Sequence, residues 1–324
     1  MIEKSKCFVG FDTSNYTTSI AVCDAEGKIV ANLKAPLAVS QGERGLRQSD
    51  AVFSHVKNLP ELSEALADVL KEYQPLAVGV SAFPREVENS YMPCFLCGIA
   101  AAKSFAAQSS LPIYKTAHQN GHIMAALYSS GAAEKLLEKQ FLAFHVSGGT
   151  TEALLVTPNE DKSSFSVELV GKTADINAGQ AIDRAGVMMG LAFPAGKELE
   201  KLASQYQGSF ERKNICVRDM RCNLSGIENI SKELYSKTND KSLVAAVVFD
   251  FICRTLCKMT EQVFAVYGKM PVLFAGGVMS NKIMRNEISR KFEAYFAEPE
   301  FSADNAAGVA LIARMKYIRD KEMF

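Results

Sequence analysis

Blocks of apolar residues, separated by small and polar turns, run the length of the chain, and their spacing predicts an α/β protein. Residues 6–12 form an apolar run that reads as a buried strand, ending in the hydroxyl-rich turn Thr13-Ser14-Asn15-Tyr16-Thr17-Thr18. Residues 20–23 and 29–33 read as two more strands, separated by Asp24-Ala25-Glu26-Gly27. Together these make a three-strand meander. Residues 40–49 are polar and carry Gly42 and Gly45, so they read as a loop. From about Ser54 to Tyr73, Val56, Leu59, Leu62, Leu66, Val69 and Leu70 fall on one helical stripe. A buried strand (76–81), an apolar helix (92–108) and a short strand (111–114) then lead to His118.

The second half repeats this order. A strand over 141–146 runs into Ser147-Gly148-Gly149-Thr150-Thr151 and returns over 152–156, followed by a third strand over 165–170. A strand, a small-residue turn and a strand thus recur about 135 residues apart, which predicts two related lobes. Each turn is suited to offering backbone N–H groups or hydroxyls to a phosphate, and Gly148 and Gly149 permit close approach. A plain hairpin turn is the simpler reading of each. Residues 178–191 read as a helix carrying Asp183, broken from the next helix by Pro194-Ala195-Gly196. A long apolar helix spans 243–266, and a buried strand over 272–275 runs into Gly276-Gly277-Val278-Met279-Ser280-Asn281 and a helix from Lys282. Paired glycines between a strand and a helix start suit an adenosine lying against backbone.

Charge and composition narrow the chemistry. Lys plus Arg and Asp plus Glu number 36 each, so the chain is formally neutral and is not built to grip a polyanion unaided. A nucleic-acid substrate delivered by partners stays open. Residues 211–221 form a charged surface excursion whose Arg212, Lys213, Arg218 and Arg221 suit a phosphate backbone, although a solvated loop is the simpler reading. The eight cysteines lie mostly inside apolar runs with no leader pattern before them, which predicts reduced thiols in a cytoplasmic protein. Cys94-Phe95-Leu96-Cys97 has redox or metal spacing but sits in an apolar helical run, so core packing is favoured. No apolar run reaches membrane length.

Two of the four histidines stand four apart in His118-Gln119-Asn120-Gly121-His122, at the start of an apolar helical segment. That spacing puts both imidazoles on one helix face, as close-set ligands of zinc or iron require. Two surface histidines are the competing reading. Asp304 opens the terminal helix and reads as its N-cap, or as a carboxylate completing the histidine pair if the C-terminus folds back.

The chain resembles the tRNA threonylcarbamoyladenosine transferases (the TsaD family), members of the actin-like ATPase superfamily. The resemblance runs from Val9 to about Ala313 with the motifs in order. His118-Gln119-Asn120-Gly121-His122 is similar to the family's His-x-x-Gly-His, and Asp304-Asn305-Ala306-Ala307 to its Asp-Asn-Ala-Ala. This implies His118, His122 and Asp304 as ligands of one divalent metal, with iron, zinc and magnesium as options. Val146-Ser147-Gly148-Gly149 resembles the phosphate loop. Asp183, Gly196 and Asn281 fall in segments that hold the ribose and adenine, beside Gly276 and Gly277. Leu224-Ser225-Gly226 is similar to the family's Phe-Ser-Gly. The resemblance implies a two-lobed actin-like fold of duplicated meanders and helices, with a nucleotide cleft between the lobes. The lobes would span 1–138 and 139–303, with a helix over 304–324 packing back on the first. ATP, AMP or an acyl-adenylate would be bound, with Thr13 and Ser14 as further phosphate contacts. The implied activity moves threonylcarbamoyl from its mixed anhydride with AMP to the exocyclic amine of the adenosine beside the anticodon. The implied partners are tRNA, a small paralogous subunit and an ATPase.

Three departures mark a divergent member. The family's Glu-Thr-Ser-Cys-Asp-Glu-Thr is here Asp12-Thr13-Ser14-Asn15-Tyr16-Thr17-Thr18, so two adjacent carboxylates are replaced by Tyr16 and Thr17. Thr150 replaces the histidine of Ser-Gly-Gly-His, and Phe83-Pro84-Arg85-Glu86 replaces a Gly-Pro-Gly loop. The changes remove candidate general bases, and transfer to another acceptor, or a non-catalytic scaffold, stand as alternatives. A peptidase is disfavoured, because Gln119 stands where a His-Glu-x-x-His helix needs its glutamate.

Overall fold

In the computed structural model, residues 4–14, 16–38, 46–161, 163–302 and 305–322 are described below. The chain divides into two compact units. One gathers Met1–Glu138, Thr157–Val167 and Glu300–Phe324, and the other Lys139–Val156 and Glu168–Pro299.

The first unit opens with the meander β1 (Ser5–Asp12), β2 (Thr17–Asp24) and β3 (Ile29–Pro36). Helix α1 (Gln48–Val69) leads to β4 (Tyr73–Phe83), and α2 (Phe95–Gln108) to β5 (Ile113–Ala117). The sheet order is β3-β2-β1-β4-β5, with β1–β2 and β2–β3 antiparallel and β4 and β5 added in parallel. Strand alternation sorts the two faces of β1. Cys7, Val9 and Phe11 pack with Leu62 and Leu66 of α1 and Ala102 and Ala106 of α2.

On the other face, Phe8 meets Tyr317 of the last helix. That helix lies so close that a Cβ at Gly10 would stand 2.6 Å from Ala306 O, and one at Gly79 2.5 Å from Val309 O. Helix α3 (His118–Ser129) follows β5 without an intervening residue, and α4 (Ala133–Leu136) is a single turn.

Helix α1 begins six residues before the predicted start at Ser54, and its buried stripe is Ala51, His55, Leu62 and Leu66. Val56 is exposed, so the predicted stripe is wrong at its N-terminal end. The face is set by a buried histidine whose Nδ1 lies 2.9 Å from Thr18 Oγ1, which an apolar count cannot see. The helix also ends before Tyr73, because that residue pairs with Ser5 as the first rung of β4.

The second unit repeats the plan with β6 (Phe141–Val146), β7 (Thr151–Pro158) and β8 (Phe165–Thr173). Then come α5 (Ala178–Met188), α6 (Gly196–Gln205), β9 (Cys216–Arg218), β10 (Arg221–Asn223), α7 (Gly226–Thr238) and α8 (Lys241–Tyr267). The chain continues through β11 (Val272–Ala275), a 3₁₀ turn over Gly277–Ser280, α9 (Lys282–Ser289) and β12 (Ala294–Phe296). The last helix is α10 (Ala307–Glu322), in the first unit.

The second sheet runs β12-β11-β6-β7-β8-β10-β9. Its β8-β7-β6-β11-β12 portion has the order of the first sheet, which is the predicted duplication. Its core includes a ladder of rings across β6, β11 and β12. Phe144 and Phe274 stack at 5.1 Å, and Phe274 and Phe296 at 5.3 Å. Helix α8 is capped by Asp240, whose Oδ1 accepts from the N–H groups of Ser242 and Leu243, and it buries side chains along its length. Each large apolar one contributes about 1.5–3 kcal/mol. No helix among the described residues is long and apolar enough to cross a membrane.

Two expectations shift. The 211–221 excursion is no simple loop, since β9 and β10 pair antiparallel and extend the sheet from β8. The terminal helix begins at Ala307 rather than at Asp304, and Asn305 Oδ1 accepts from Ala307 N, an Asx turn that leads into it. Asp304 lies outside the described residues.

Candidate functional site

In the first unit, β1 delivers Asp12 and β5 delivers α3, so the strand end and the helix start meet. Asp12 is buried, and its carboxylate takes three hydrogen bonds. Ser14 N donates to Oδ1 at 2.9 Å, Ser81 Oγ donates to Oδ2 at 2.6 Å, and His118 Nδ1 lies 2.8 Å from Oδ2. Burial by itself would raise the acid's pKa. The opposing charge of His118 and the hydrogen bonds from His118, Ser14 and Ser81 outweigh it and hold Asp12 below the ordinary carboxylate range. A carboxylate only accepts, so Nδ1 of His118 carries a proton whether the ring is charged or neutral, and in the neutral ring, the form that binds a metal, the lone pair is on Nε2.

One helical turn on, the His122 ring sits 4.3 Å from that of His118, centroid to centroid, at 75°. Two neighbouring imidazoles, one oriented by a carboxylate, make a donor set suited to a borderline divalent ion. Among the described residues the pair has no third histidine, cysteine, aspartate or glutamate grouped with it as a ligand set. The predicted third ligand, Asp304, is outside them. Its chain neighbours are not: Gly308 crosses α3 so tightly that a Cβ there would stand 1.9 Å from Gly121 O. The glycine within His118-Gln119-Asn120-Gly121-His122 is thus a helix-crossing contact, which explains why a small residue separates the histidines.

Thr13 and Ser14 lie in this unit and are both buried. Thr13 Oγ1 donates to Cys94 O and accepts from Gly98 N, fastening β1 to the start of α2. Ser14 Oγ has no hydrogen-bond partner among the described residues. Cys94 Sγ donates to Ser14 O, and Cys94 and Cys97 are free buried thiols, as core packing predicts. Seven of the eight cysteines are buried, Cys216 being the exposed one.

The second unit holds a pocket of about 610 Å³ lined by Gly148, Asp183, Gly196, Gly277 and Asn281, five of the predicted nucleotide contacts. They come from four separate chain segments. Ser147 and Gly149 flank Gly148 in the turn after β6. The N–H groups of Gly149 and Thr150 converge on Ser147 Oγ, at 3.2 and 3.0 Å. Space above both Gly148 and Gly149 is open. Gly276 is required by packing instead. At its φ of +99°, a Cβ would stand 2.2 Å from Val146 O, so the neighbouring backbone excludes any side chain.

Two carboxylates face the pocket, each with one oxygen engaged. Asp183 Oδ1 accepts from Ala195 N at 2.8 Å, and Glu200 Oε1 from Lys282 N at 2.7 Å. Asn281 caps α9 through Oδ1, which leaves its amide donor for other work. Glu200, Lys197, Ile182, Phe249 and Ser280 also line the pocket, and the sequence did not single them out. Glu200 lies one helical turn beyond Gly196, and that spacing was the available signal.

The family profile of tRNA N6-adenosine threonylcarbamoyltransferase (TsaD) matches residues 91–311. A protein of that name from Streptococcus suis (strain 05ZYH33) is 28% identical, over 98% of this chain and 94% of its own. One from Streptococcus agalactiae serotype V is 27% identical, over 99% and 95%. The chain belongs to the TsaD family.

Solved structures agree on the fold. HypF from T. kodakarensis aligns with a TM-score of 0.61 at 14% identity, over 98% of this chain and 48% of its own. Component A of the Acidaminococcus fermentans (R)-2-hydroxyglutaryl-CoA dehydratase aligns at 0.54 and 15%, over 97% and 100%. The fold is that of the actin-like ATPases and sugar kinases, and a TsaD family member is a transferase by family.

The family's Phe-Ser-Gly counterpart, Leu224-Ser225-Gly226, has a structural account. Asp175 accepts from Ser225 Oγ at 2.6 Å, Ser225 N at 3.0 Å and Leu224 N at 2.8 Å, tying the start of α7 to the chain entering α5. Partial burial raises the Asp175 pKa, but these hydrogen bonds win and bring it down to about 2. Among the departing positions, Tyr16 is exposed and its carbonyl accepts from Leu37 N. The carbonyl of Pro84, in the segment replacing Gly-Pro-Gly, accepts from Gln119 N at the start of α3.

Proposed function

We propose that this chain is a metal- and nucleotide-binding transferase that moves threonylcarbamoyl from threonylcarbamoyl-AMP to the exocyclic amine of an adenosine in tRNA. The observation that carries the reading is the convergence of Gly148, Asp183, Gly196, Gly277 and Asn281 on one pocket. The open space above Gly148 and Gly149 leaves room for the phosphate of AMP against the turn, with Gly148 N as the donor not used inside it. The remaining carboxylate oxygens of Asp183 and Glu200 suit ribose hydroxyls, and the Asn281 amide suits an acceptor nitrogen of adenine.

His118, His122 and Asp304 would hold one divalent ion. Such an ion supplies Lewis acidity that stabilises charge developing on an acyl or phosphate oxygen. Asp12 keeps the His118 lone pair on Nε2. An aromatic amine is a poor nucleophile, so holding the acyl donor and acceptor together supplies much of the acceleration. Partner subunits and tRNA belong to this reading.

A second reading, transfer to another acceptor, is favoured by Tyr16, Thr17 and Thr150, where the family has two carboxylates and a histidine. One assay tests both: offer the purified chain threonylcarbamoyl-AMP and unmodified tRNA, with and without partner proteins, and digest the tRNA for nucleoside analysis. Threonylcarbamoyladenosine is the expected product. Its absence with a competent partner set, alongside consumption of the adenylate, would favour the second reading.

A further inference from the structure

The ring ladder of β6, β11 and β12 has a charged counterpart at the opposite edge of the same sheet. In register, Arg221 of β10 stands opposite Arg218 of β9 on one side and Lys172 of β8 on the other. Directly opposed residues of neighbouring strands share a face, about 5 Å apart. All three are exposed, while Val217 packs against the core and Cys222 and Gly171 are buried. Like charges placed directly opposite one another destabilise a sheet. Three in a row cost the sheet stability unless something anionic covers them.

Nothing within the described residues does. Arg212 and Arg254 share Asp250 at 3.5 and 2.7 Å, and Lys213 pairs with Glu211 at 2.8 Å. Lys172, Arg218 and Arg221 have no such ion pair among the described residues. Asp175, the carboxylate nearest along the chain to Lys172, is occupied by Ser225 and Leu224. Asp219, in the turn between the two arginines, offsets one charge of the three.

The ridge is also held in place. Asp219 and Met220 both have positive φ, 49° and 59°, which makes a tight two-residue turn. Gln262 of α8 accepts from Met220 N at 2.8 Å and donates to Val217 O at 3.1 Å, clamping both sides of that turn. A Cβ on Gly171 would stand 2.5 Å from Met220 O, so the hairpin lies hard against β8. A pre-set row of cations on a chain of zero net charge is a local device rather than a consequence of composition.

We infer that the outward face of β8, β10 and β9 docks the phosphodiester backbone of RNA. The inference rests on the reading of tRNA as the acceptor and assigns it a surface. Phosphate contacts of this kind set register and orientation rather than sequence preference. A charged edge strand also discourages strand-to-strand aggregation, and the experiment separates that role from docking.

The test is the salt dependence of binding of unmodified tRNA to the full chain, alone and with its partner subunits. Removal of one phosphate-binding cation lowers the slope of log K against log salt by about 0.7–0.9. The triple variant Lys172→Ala/Arg218→Ala/Arg221→Ala should lower the slope by about two and weaken binding at least tenfold, with a melting temperature equal to or above wild type. Arg212→Ala, which removes a cation already paired with Asp250, should leave the slope at its wild-type value.

A triple variant with the wild-type slope would overturn the docking surface and leave the transfer reading standing. Wild-type chain that binds no tRNA at low salt, even with partners, would overturn both. If the triple variant does not fold, Arg218→Ala/Arg221→Ala decides: a slope lowered by about 1.4–1.8 supports the dock, and the wild-type slope overturns it. Increased aggregation without any change in tRNA binding would assign the ridge to edge protection alone.

Discussion

The two meanders have the same strand order and end their first strands in comparable turns, yet the turns have become opposites. After β1, the turn is buried and its groups point to protein. Asp12 holds His118, and Thr13 ties down α2. After β6, the turn is open: nothing lies within 4 Å of where a Cβ on Gly148 or Gly149 would be, and Gly148 lines a pocket. One copy has turned its small-residue turn into a bracket for the histidine helix. The other leaves it open beside a pocket, where the proposed function puts a nucleotide phosphate. Topology fixes where such turns fall, and side-chain size and charge decide what each one does.

Glycine substitutions sharpen that contrast most strongly. Gly308→Ala forces a methyl group against Gly121 O at 1.9 Å, between two helices that cannot both yield. It should cost about 3 kcal/mol or more in urea denaturation and detach the histidine helix from its support. Gly148→Ala at the open turn should change stability by less than about 0.5 kcal/mol while weakening nucleotide binding. Equal costs at the two positions would break the comparison.

Next in size is Asp12→Asn. An amide keeps the volume but can donate to His118 Nδ1 as well as accept, so the tautomer is no longer fixed. Metal affinity should fall about 10- to 100-fold, read by metal content after dialysis at graded chelator concentrations. The nitrogen NMR shifts of the His118 ring in metal-free protein should show the change of tautomer. Unaltered ring shifts would remove Asp12 from its role.

A smaller effect belongs to Asp175, which ties the start of α7 to the chain entering α5. Asp175→Asn should destabilise by about 1–2 kcal/mol with metal content unchanged. The sign of its pH dependence follows from a lowered folded-state pKa. Its contribution is present above the ordinary value of 3.8 and is lost as pH falls through about 2. The variant should therefore show a shallower acid-induced loss of stability than wild type across that window.

Much of this architecture was legible from periodicity, because buried strands and amphipathic helices carry their faces in the sequence. Both meanders and α8 fall within a few residues of the predicted spans. The misses have physical causes. The face of α1 is set by His55, a polar residue bonded to Thr18 within the core. The β9–β10 hairpin is only three residues on each side, too short to alternate visibly, and is anchored by Gln262 across 42 positions in sequence.

For the sites, the histidine pair and the glycine turn were legible because local spacing alone puts their groups side by side. Asp12 as the partner of His118 was not, since the two are 106 residues apart and meet only through the parallel arrangement of β1, β4 and β5. Phe249, on α8, escaped for the same reason. A pocket assembled from several segments shows in sequence only where a segment carries a recognisable turn.

The central claim is a division of labour: the histidine helix holds an ion, and the glycine-lined pocket holds an adenylate. The most direct measurement is parallel titration of metal and AMP into wild type, His118→Ala and Asp183→Ala. The account predicts that His118→Ala loses the metal while retaining AMP affinity within a few-fold, and that Asp183→Ala does the reverse. Loss of both ligands in both variants while each stays folded, or loss of neither, would contradict it.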